Sequence, residues 1–411
     1  MMIERHITPS LLDALTDTPV IMLIGARQSG KSTLVRWLAE NKHPARYVTL
    51  DDAQTLAAVR EDPDAFIRAV PGPMVIDEVQ RISELLLAIK AEVDRERRPG
   101  RFILTGSANV LSLPRVSESL AGRIEILTLH PFSQGELEGT TERFIDLLFS
   151  GKTPNGPKEK VPKGSLVARV VAGGYPEIQQ RKAEERRRAW FSSYVTTILE
   201  RDVRDLANIE GLSAMPRLLS LLAARTGALQ NYAELSNSAD IPQSTLKRYM
   251  SLLETTFLVR PLPAWSGNLG KRLIKAPKLY MTDTGLLTHL IGYDRERLRE
   301  DATFFRRILE NFAVMELLKQ ASWSRSKPRL YHFRDTAGHE VDILLERPDG
   351  KIVGVEVKSA SRVTARDLNG LKNAAELLGD RFVRGVILYT GAESVPFGQK
   401  IVALPVNALW A

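Results

Sequence analysis

The chain has 411 residues, of which 44% are hydrophobic, and a formal net charge of +8. This length predicts about two to four domains, and with no apolar run of about 18 residues we expect no membrane-spanning helix. The absence of cysteine excludes disulfides, cysteine-ligated zinc and thiol catalysis and fits a cytoplasmic protein, while the basic excess fits either ordinary solubility or attraction to a polyanion.

Residues 18–140 alternate between short apolar strands and helical stretches. The predicted strands cover residues 20–24, 45–50, 74–76, 101–105 and 124–129. Such alternation predicts an α/β domain over residues 1–150, with a mostly parallel sheet covered by helices on both faces.

A phosphate-binding loop follows the first predicted strand, and a helix follows the loop. The segment matches G-x-x-x-x-G-K-[ST] in full, and we expect the nucleotide to be bound by Gly25, Ala26, Arg27, Gln28, Ser29, Gly30, Lys31, Ser32 and Thr33. Glycines let backbone N–H groups face phosphate, and the helix N-terminus adds positive potential. Lys31 is expected to reach the β- and γ-phosphates, and the Ser32 hydroxyl to ligate Mg²⁺. The pattern predicts ATP and Mg²⁺ binding.

An acid pair, Asp77 and Glu78, follows the buried strand at residues 74–76. Ligands of open α/β sheets bind at the carboxyl ends of the strands. Asp77 is therefore expected to hold Mg²⁺, mostly through water, and Glu78 to orient the attacking water. Two acids in succession favour hydrolysis over phosphoryl transfer to a small acceptor.

Polar groups after the next strand are candidates to sense the γ-phosphate. Thr105, Ser107 and Asn109 all qualify, because the sequence does not decide which of them faces the nucleotide. Arg123, on a turn before the last strand, is a candidate to stabilise transition-state charge, often from a neighbouring subunit. The alternative is a surface arginine at a helix end.

Residues 151–211 are interpreted as a Pro-, Gly- and Lys-rich linker insertion followed by a helical lid region, and residues 212–300 as a winged-helix-like domain. A first helix at 232–237, a turn, and a second helix at 242–254 form a helix-turn-helix candidate. Its exposed side and the basic wing after it would contact DNA through Gln243, Ser244, Lys247, Arg248, Lys271 and Arg272. Winged helices also serve as packing modules without nucleic acid.

Residues 301–411 carry an acid on a helix, an acid on a strand and a Glu-x-Lys pair on the next strand. These are Glu310, Asp342, Glu356 and Lys358, in the arrangement typical of restriction-endonuclease-like α/β domains. The three carboxylates would hold Mg²⁺, and Lys358 would position or polarise a water. The alternatives are a salt-bridged edge strand, or a nuclease fold that binds without cutting.

The succession of motifs resembles a prokaryotic group of AAA-superfamily ATPases. In that group the ATPase is joined to a C-terminal domain of unassigned function with a restriction-endonuclease-like core. The similar segments are residues 25–32, 75–80, 104–108, 119–123, 129–136 and 173–177. The resemblance covers nearly the whole chain and implies an ATPase domain, a winged helix and a nuclease-like domain, without implying a substrate.

We therefore expect a cytoplasmic, homo-oligomeric ATPase that binds and processes DNA. The rival hypothesis is a regulatory or signalling ATPase whose nuclease-like domain binds without cutting. A P-loop kinase for a metabolite is a weaker hypothesis, because no small-acceptor pocket is evident between the phosphate loop and Asp77.

Overall fold

The computed structural model describes residues 3–106, 120–152, 154, 162–203, 212–268, 270, 272, 275–335 and 337–411. The chain divides into two compact units. The N-terminal unit runs up to Phe132 and includes Thr255–Phe257, and the C-terminal unit comprises Ser133–Glu254 and Leu258–Ala411. The regions predicted over 151–211, 212–300 and 301–411 thus share one compact unit, and residues 133–150 group with them.

A five-stranded parallel sheet forms the centre of the N-terminal unit. Its strands are β1 (Val20–Ile24), β2 (Arg46–Thr49), β3 (Met74–Asp77), β4 (Phe102–Gly106) and β5 (Ile124–Thr128). They lie in the order β2-β3-β4-β1-β5, and every pair is parallel. The predicted parallel sheet is confirmed, and each predicted strand overlaps an observed one.

Helices cover both faces of this sheet. They are α1 (Thr8–Ala14), α2 (Lys31–Asn41), α3 (Ala53–Glu61), α4 (Pro63–Arg68) and α5 (Leu85–Arg95). Val20 and Met22 of β1 belong to one buried core, whereas Ile21 and Leu23 belong to the other. Because successive side chains of a strand point to opposite faces, β1 must be apolar throughout to fill both cores.

The C-terminal unit begins with helices and ends with a mixed sheet. The first helices are α6 (Gln134–Glu138), α7 (Phe144–Phe149), α8 (Lys163–Ala172), α9 (Pro176–Gln179), α10 (Glu184–Thr197), α11 (Met215–Ala224), α12 (Tyr232–Ala239) and α13 (Gln243–Thr255). The strand pair β6 (Val259–Leu262) and β7 (Lys278–Met281) follows. Three more helices precede the mixed sheet, namely α14 (Thr284–Leu290), α15 (Arg295–Glu300) and α16 (Ala302–Trp323). No helix in the described part of the chain is long and apolar enough to cross a membrane.

The mixed sheet has six strands in the order β12-β13-β11-β10-β9-β8. They are β8 (Arg329–Arg334), β9 (Glu340–Glu346), β10 (Ile352–Lys358), β11 (Phe382–Tyr389), β12 (Val395–Phe397) and β13 (Ile401–Pro405), with α17 (Asn369–Leu378) between β10 and β11. β8, β9 and β10 are antiparallel, and β11 is parallel to β10 and β13. The predicted hairpin at residues 339–358 is confirmed as β9 and β10.

A short backbone bridge joins the segment after β6 to the edge strand β8. Trp265 N donates to His332 O at 2.7 Å, and His332 N donates to Pro263 O at 2.9 Å. The Arg272 guanidinium adds two hydrogen bonds to Glu346, at 2.6 and 3.0 Å. These links explain why the middle region and the mixed sheet form one unit.

His332 makes the stability of this junction sensitive to acid. Its ring is buried, and Nε2 lies 3.1 Å from Ala276 O. Burial lowers the pKa of His332 from 6.5 to about 4. The unfolded chain therefore gains a proton below about pH 6.5 that the folded chain does not, so folding stability falls between pH 6.5 and pH 4 by at most about 3 kcal/mol.

We expect His332→Gln to lose less stability than the wild type between pH 7 and pH 4.5, because glutamine can still bond Ala276 O and does not titrate. Denaturant unfolding at the two pH values measures this. An unchanged loss of stability on acidification would contradict the assignment.

Buried carboxylates hold residues 133–136 of one motif noted in the sequence, and the motif at residues 173–177, within the C-terminal unit. Gln134 N donates to Glu316 Oε2 at 2.8 Å, and Lys319 Nζ donates to Glu316 Oε1 at 2.7 Å. Gly174 N donates to Asp283 Oδ2 at 2.7 Å. Buried polar groups need partners of this kind, so both motifs have a structural role.

Candidate functional site

The phosphate loop leaves β1 at Gly25 and enters α2 at Gly30. A side chain at Gly25 would collide with the Leu129 carbonyl, and Gly30 has a φ of 97° in the left-handed region, so both positions favour glycine. Gly30 caps α2 without a side-chain hydrogen bond, which leaves the first N–H groups of the helix without a capping side chain. Such a helix start fits a phosphate group.

Lys31 is buried and folds back over the loop. Its Nζ donates to the carbonyls of Gly25 and Ala26, both at 2.9 Å. Ser32 is half-buried in the first turn of α2, and Thr33 beside it is exposed. The loop thus places an ammonium and a hydroxyl at the carboxyl edge of the parallel sheet, where nucleotides bind in folds of this class.

Arg5 contacts the backbone of the phosphate loop, and this role of Arg5 was not predicted. Its Nη1 donates to Ser29 O at 2.9 Å, its Nη2 donates to His130 O at 2.5 Å, and its guanidinium lies 4.5 Å from the centre of the Phe132 ring. Arg5 is 125 residues before His130, so no local pattern in the sequence indicates this contact.

Asp77 ends β3 and is held by two hydroxyl donors. Tyr47 OH donates to Asp77 Oδ2 at 2.6 Å, and Thr105 Oγ1 donates to Asp77 Oδ1. Burial, with the hydrogen bond to Asp77, raises the pKa of Tyr47 to about 12, so the phenol stays protonated and remains a donor. The two hydroxyls fix the orientation of the carboxylate and leave its other lone pairs to accept from the waters of a bound Mg²⁺.

Glu78 has a left-handed backbone, with a φ of 61°, which is uncommon for a residue other than glycine. Its N–H donates to Thr105 Oγ1 at 3.2 Å, and its Oε2 accepts from Gln80 Nε2. Thr105 therefore fixes both members of the acid pair. The other two sensor candidates, Ser107 and Asn109, lie outside the described residues.

Arg123 lies at the opposite edge of the sheet from the phosphate loop. β1 and β5 are parallel, with Val20 opposite Ile124, so Arg123 stands at the amino end and Gly25 follows the carboxyl end. The strand between them spans about 16 Å. Arg123 Nε donates to Asp94 Oδ1, and Nη1 donates to Ala121 O at 3.0 Å. Arg123 therefore cannot contact a nucleotide on the loop of its own chain.

The predicted helix pair in the middle region is present as α12 and α13. Leu246, Met250 and Leu253 of α13 are buried, as expected. The predicted DNA-contacting residues of α13 are all exposed, namely Gln243, Ser244, Lys247 and Arg248.

One of the two predicted wing residues, Arg272, packs against the C-terminal sheet. Arg272 forms a bidentate ion pair with Glu346, and its guanidinium lies 5.0 Å from the ring centres of Trp265 and Tyr331. Its side chain is only 12% exposed, so it faces the C-terminal sheet and not solvent. Lys271 lies outside the described residues.

The predicted C-terminal carboxylates lie in one ion-paired network. Asp342 N donates to Glu356 Oε2 at 3.2 Å, and Val357 N donates to Asp342 Oδ2 at 2.9 Å. Lys358 Nζ donates to Glu356 Oε1 at 2.8 Å. Burial, together with the charge of Asp342, raises the pKa of Glu356 to about 8. The predicted meeting of Asp342, Glu356 and Lys358 is therefore observed.

Lys278, which was not predicted, links Glu310 to this network. Lys278 Nζ lies 3.0 Å from Glu310 Oε1 and 3.7 Å from Asp342 Oδ1, and Tyr280 OH donates to Glu310 Oε1 at 2.7 Å. Within the described ranges, no three His, Cys, Asp or Glu side chains are grouped so that they could hold a metal ion.

Family comparisons divide the chain into three matched segments. An AAA domain matches residues 17–138, a domain of unknown function (DUF8612) matches residues 163–297, and a second (DUF4143) matches residues 305–409. The AAA match supports the predicted AAA-superfamily ATPase domain.

Uncharacterized proteins of Mycobacterium tuberculosis and Mycobacterium bovis are each 32% identical over all of this chain and 85% of their own length. One from Haemophilus influenzae is 25% identical over 78% of this chain and 79% of its own. The RuvB Holliday junction branch migration motor of Thermotoga maritima aligns with 64% of this chain and 90% of its own, at 19% identity and a TM-score of 0.30. This chain belongs to the same family as the two mycobacterial proteins, and its N-terminal segment is an AAA-type ATPase domain.

Proposed function

We propose that this protein hydrolyses ATP with Mg²⁺ and couples the nucleotide cycle to DNA binding. The observation that carries the proposal is the convergence of three elements at one sheet edge. Lys31 begins α2 after the loop that follows β1, Asp77 ends β3, and Thr105 on β4, the strand between β3 and β1, donates to Asp77. The AAA match over residues 17–138 supports the same assignment.

Each residue then has a distinct task. The loop N–H groups and the start of α2 receive the phosphates, and Lys31 exchanges the Gly25 and Ala26 carbonyls for the β- and γ-phosphates. Ser32 and Asp77 would hold Mg²⁺, which neutralises phosphate charge. Glu78, fixed through Thr105, orients and polarises the attacking water.

The same proposal requires a homo-oligomer. Arg123 stands about 16 Å from its own phosphate loop, and its exposed ion pair with Asp94 is weak enough to exchange. We propose that Arg123 stabilises transition-state charge on a nucleotide bound by a neighbouring copy.

DNA contact is assigned to the start of α13, the second helix of the pair. Gln243 and Ser244 can bond base edges or phosphates there, and Lys247 and Arg248 supply positive charge one turn later. All four side chains are exposed. Recognition helices of helix-turn-helix proteins present their N-terminal residues to the major groove in this way.

We expect the double variant Lys247→Ala/Arg248→Ala to bind duplex DNA more weakly on all sequences. The slope of log affinity against log salt should fall by roughly two units, one for each lost phosphate contact. Fluorescence anisotropy across a salt series measures the slope, and the DNA stimulation of ATP hydrolysis should weaken in parallel.

A matched control removes two exposed positive charges from the N-terminal unit, Lys42→Ala/Arg60→Ala. It should keep the wild-type slope. If both double variants changed the slope equally, the effect would be one of net charge, and the assignment to α13 would be wrong.

For the C-terminal unit we propose a restriction-endonuclease-like core that contacts DNA. The supporting observation is that Asp342, Glu356 and Lys358 lie together where β9 and β10 leave their regular pairing, which ends at Val355 and Ile343. Cutting by such a core needs a divalent ion on the carboxylates. Binding without cutting needs only their fixed positions.

A further inference from the structure

Lys278 places a positive charge among carboxylates that were expected to hold a metal. We use the name carboxylate cluster for Glu310, Asp342 and Glu356. The lysine comes from β7, outside the segment of the chain that supplies the cluster, and Tyr280 two residues later points to the same face and bonds Glu310. The strand pair of the middle region thus supplies a cation and a hydroxyl donor to the C-terminal cluster.

The Lys278 side chain is buried, and its positive charge is paired with the carboxylates of Glu310 and Asp342. The Lys278 side chain is 10% exposed, and those of Glu310 and Asp342 are 15% and 12% exposed. A buried ammonium needs acidic partners to remain charged. Glu310 and Asp342 are those partners, with carboxylate oxygens 3.0 and 3.7 Å from the ammonium.

Three further oxygens of the cluster also accept hydrogen bonds. Asp342 Oδ2 accepts from Val357 N, Glu356 Oε2 accepts from Asp342 N, and Glu356 Oε1 accepts from Lys358. A divalent ion that bridged Glu310 and Asp342 would have to displace the Lys278 ammonium, which is held at 3.0 Å from one and 3.7 Å from the other. In this arrangement the residues present do not fit a metal ion.

We propose that Lys278 is the resident cation of the carboxylate cluster and that it takes the place of a divalent metal. The cluster is then an ion-paired network that fixes the end of β9 and β10 against α16. Lys278 is a positioning residue in this scheme. The inference concerns the C-terminal unit alone and depends on neither ATP hydrolysis nor DNA binding.

The test measures Mn²⁺ binding to the full-length protein without nucleotide, by titration calorimetry and electron paramagnetic resonance. The wild type and the Asp342→Asn variant should bind Mn²⁺ equally, because the cluster contributes no site. The Lys278→Met variant should bind one additional Mn²⁺ per chain, at least about tenfold more tightly than any site of the wild type. The double variant Lys278→Met/Glu310→Gln should not bind this additional ion. Lys275→Met removes an exposed lysine nearby and should behave as the wild type.

Thermal unfolding gives a second readout. Lys278→Met leaves Glu310 and Asp342 without their counter-ion, so we expect a lower Tm in chelator and recovery with Mn²⁺, since a ligand that binds only the folded state stabilises it. The wild-type Tm should not respond. The proposal is overturned if wild-type Mn²⁺ binding is lost in Asp342→Asn. It is also overturned if folded Lys278→Met gains no site. If Lys278→Met does not fold even with Mn²⁺, the comparison of wild type with Asp342→Asn decides alone.

Discussion

Glu78→Gln is expected to slow ATP hydrolysis at least about 100-fold while ATP binding is retained. Glutamine keeps the size of the side chain and its contact with Gln80, and the Glu78 N–H still bonds Thr105. What is lost is the negative charge that polarises the attacking water. Single-turnover hydrolysis and equilibrium binding of a fluorescent ATP analogue separate the two effects.

Glu84→Gln is the matched control, because it makes the same change at an exposed acid six residues later. It should hydrolyse ATP at the wild-type rate. Turnover by Glu78→Gln at that rate would show that another group activates the water.

Arg123→Ala should lower the hydrolysis rate by about 1,000-fold if its guanidinium acts on a neighbouring copy. The loss should be fully present in the oligomer and should not reflect unfolding, because the Arg123 side chain bonds Asp94 and the Ala121 carbonyl at the surface of its own unit. Arg97→Ala removes an exposed arginine that bonds Gly122 O and serves as the control.

Mixing experiments distinguish action within a chain from action between chains. Arg123→Ala combined with Lys31→Ala should recover part of the activity, because some interfaces then pair an intact loop with an intact arginine. Asp94→Asn, which releases Arg123 from its ion pair, should leave hydrolysis at or above the wild-type rate. A monomer with full activity, or no recovery despite confirmed subunit exchange, would contradict a role between subunits.

Local patterns were sufficient to predict the parallel sheet and the phosphate loop. The three inner strands β1, β3 and β4 are short, largely apolar runs between turn residues, and the loop motif lies at the end of β1. The Glu-x-Lys pair could also be placed, because alternation along a strand fixes which side chains share a face. The observed contacts of Lys358 with Glu356 follow from that rule.

The partners of these residues could not be predicted, because long-range packing determines them. Arg5 reaches Ser29 and His130, Tyr47 reaches Asp77 from the neighbouring strand, and Lys278 reaches Glu310 across the C-terminal unit. No spacing rule connects these positions.

The contacts of Arg272 were also determined by long-range packing, and here the sequence pattern indicated the wrong environment. Its place in a Gly- and Lys-rich turn indicates a solvent-facing basic residue, whereas the structure pairs it with Glu346 against the rings of Trp265 and Tyr331. Fixing Arg272 in this way requires Glu346 and Tyr331 from distant parts of the chain, in addition to the nearby Trp265.

The most direct test of the nucleotide site is phosphate release from ATP with Mg²⁺ by purified wild type, Lys31→Ala and Asp77→Asn. Lys31→Ala removes the ammonium from the phosphates, and Asp77→Asn weakens the hold on Mg²⁺. We predict steady hydrolysis by the wild type, none above background by Lys31→Ala, and a loss of at least about 100-fold in Asp77→Asn. Phosphate release by Lys31→Ala at the wild-type rate, or none by a folded, oligomeric wild type with and without DNA, would contradict the proposed function.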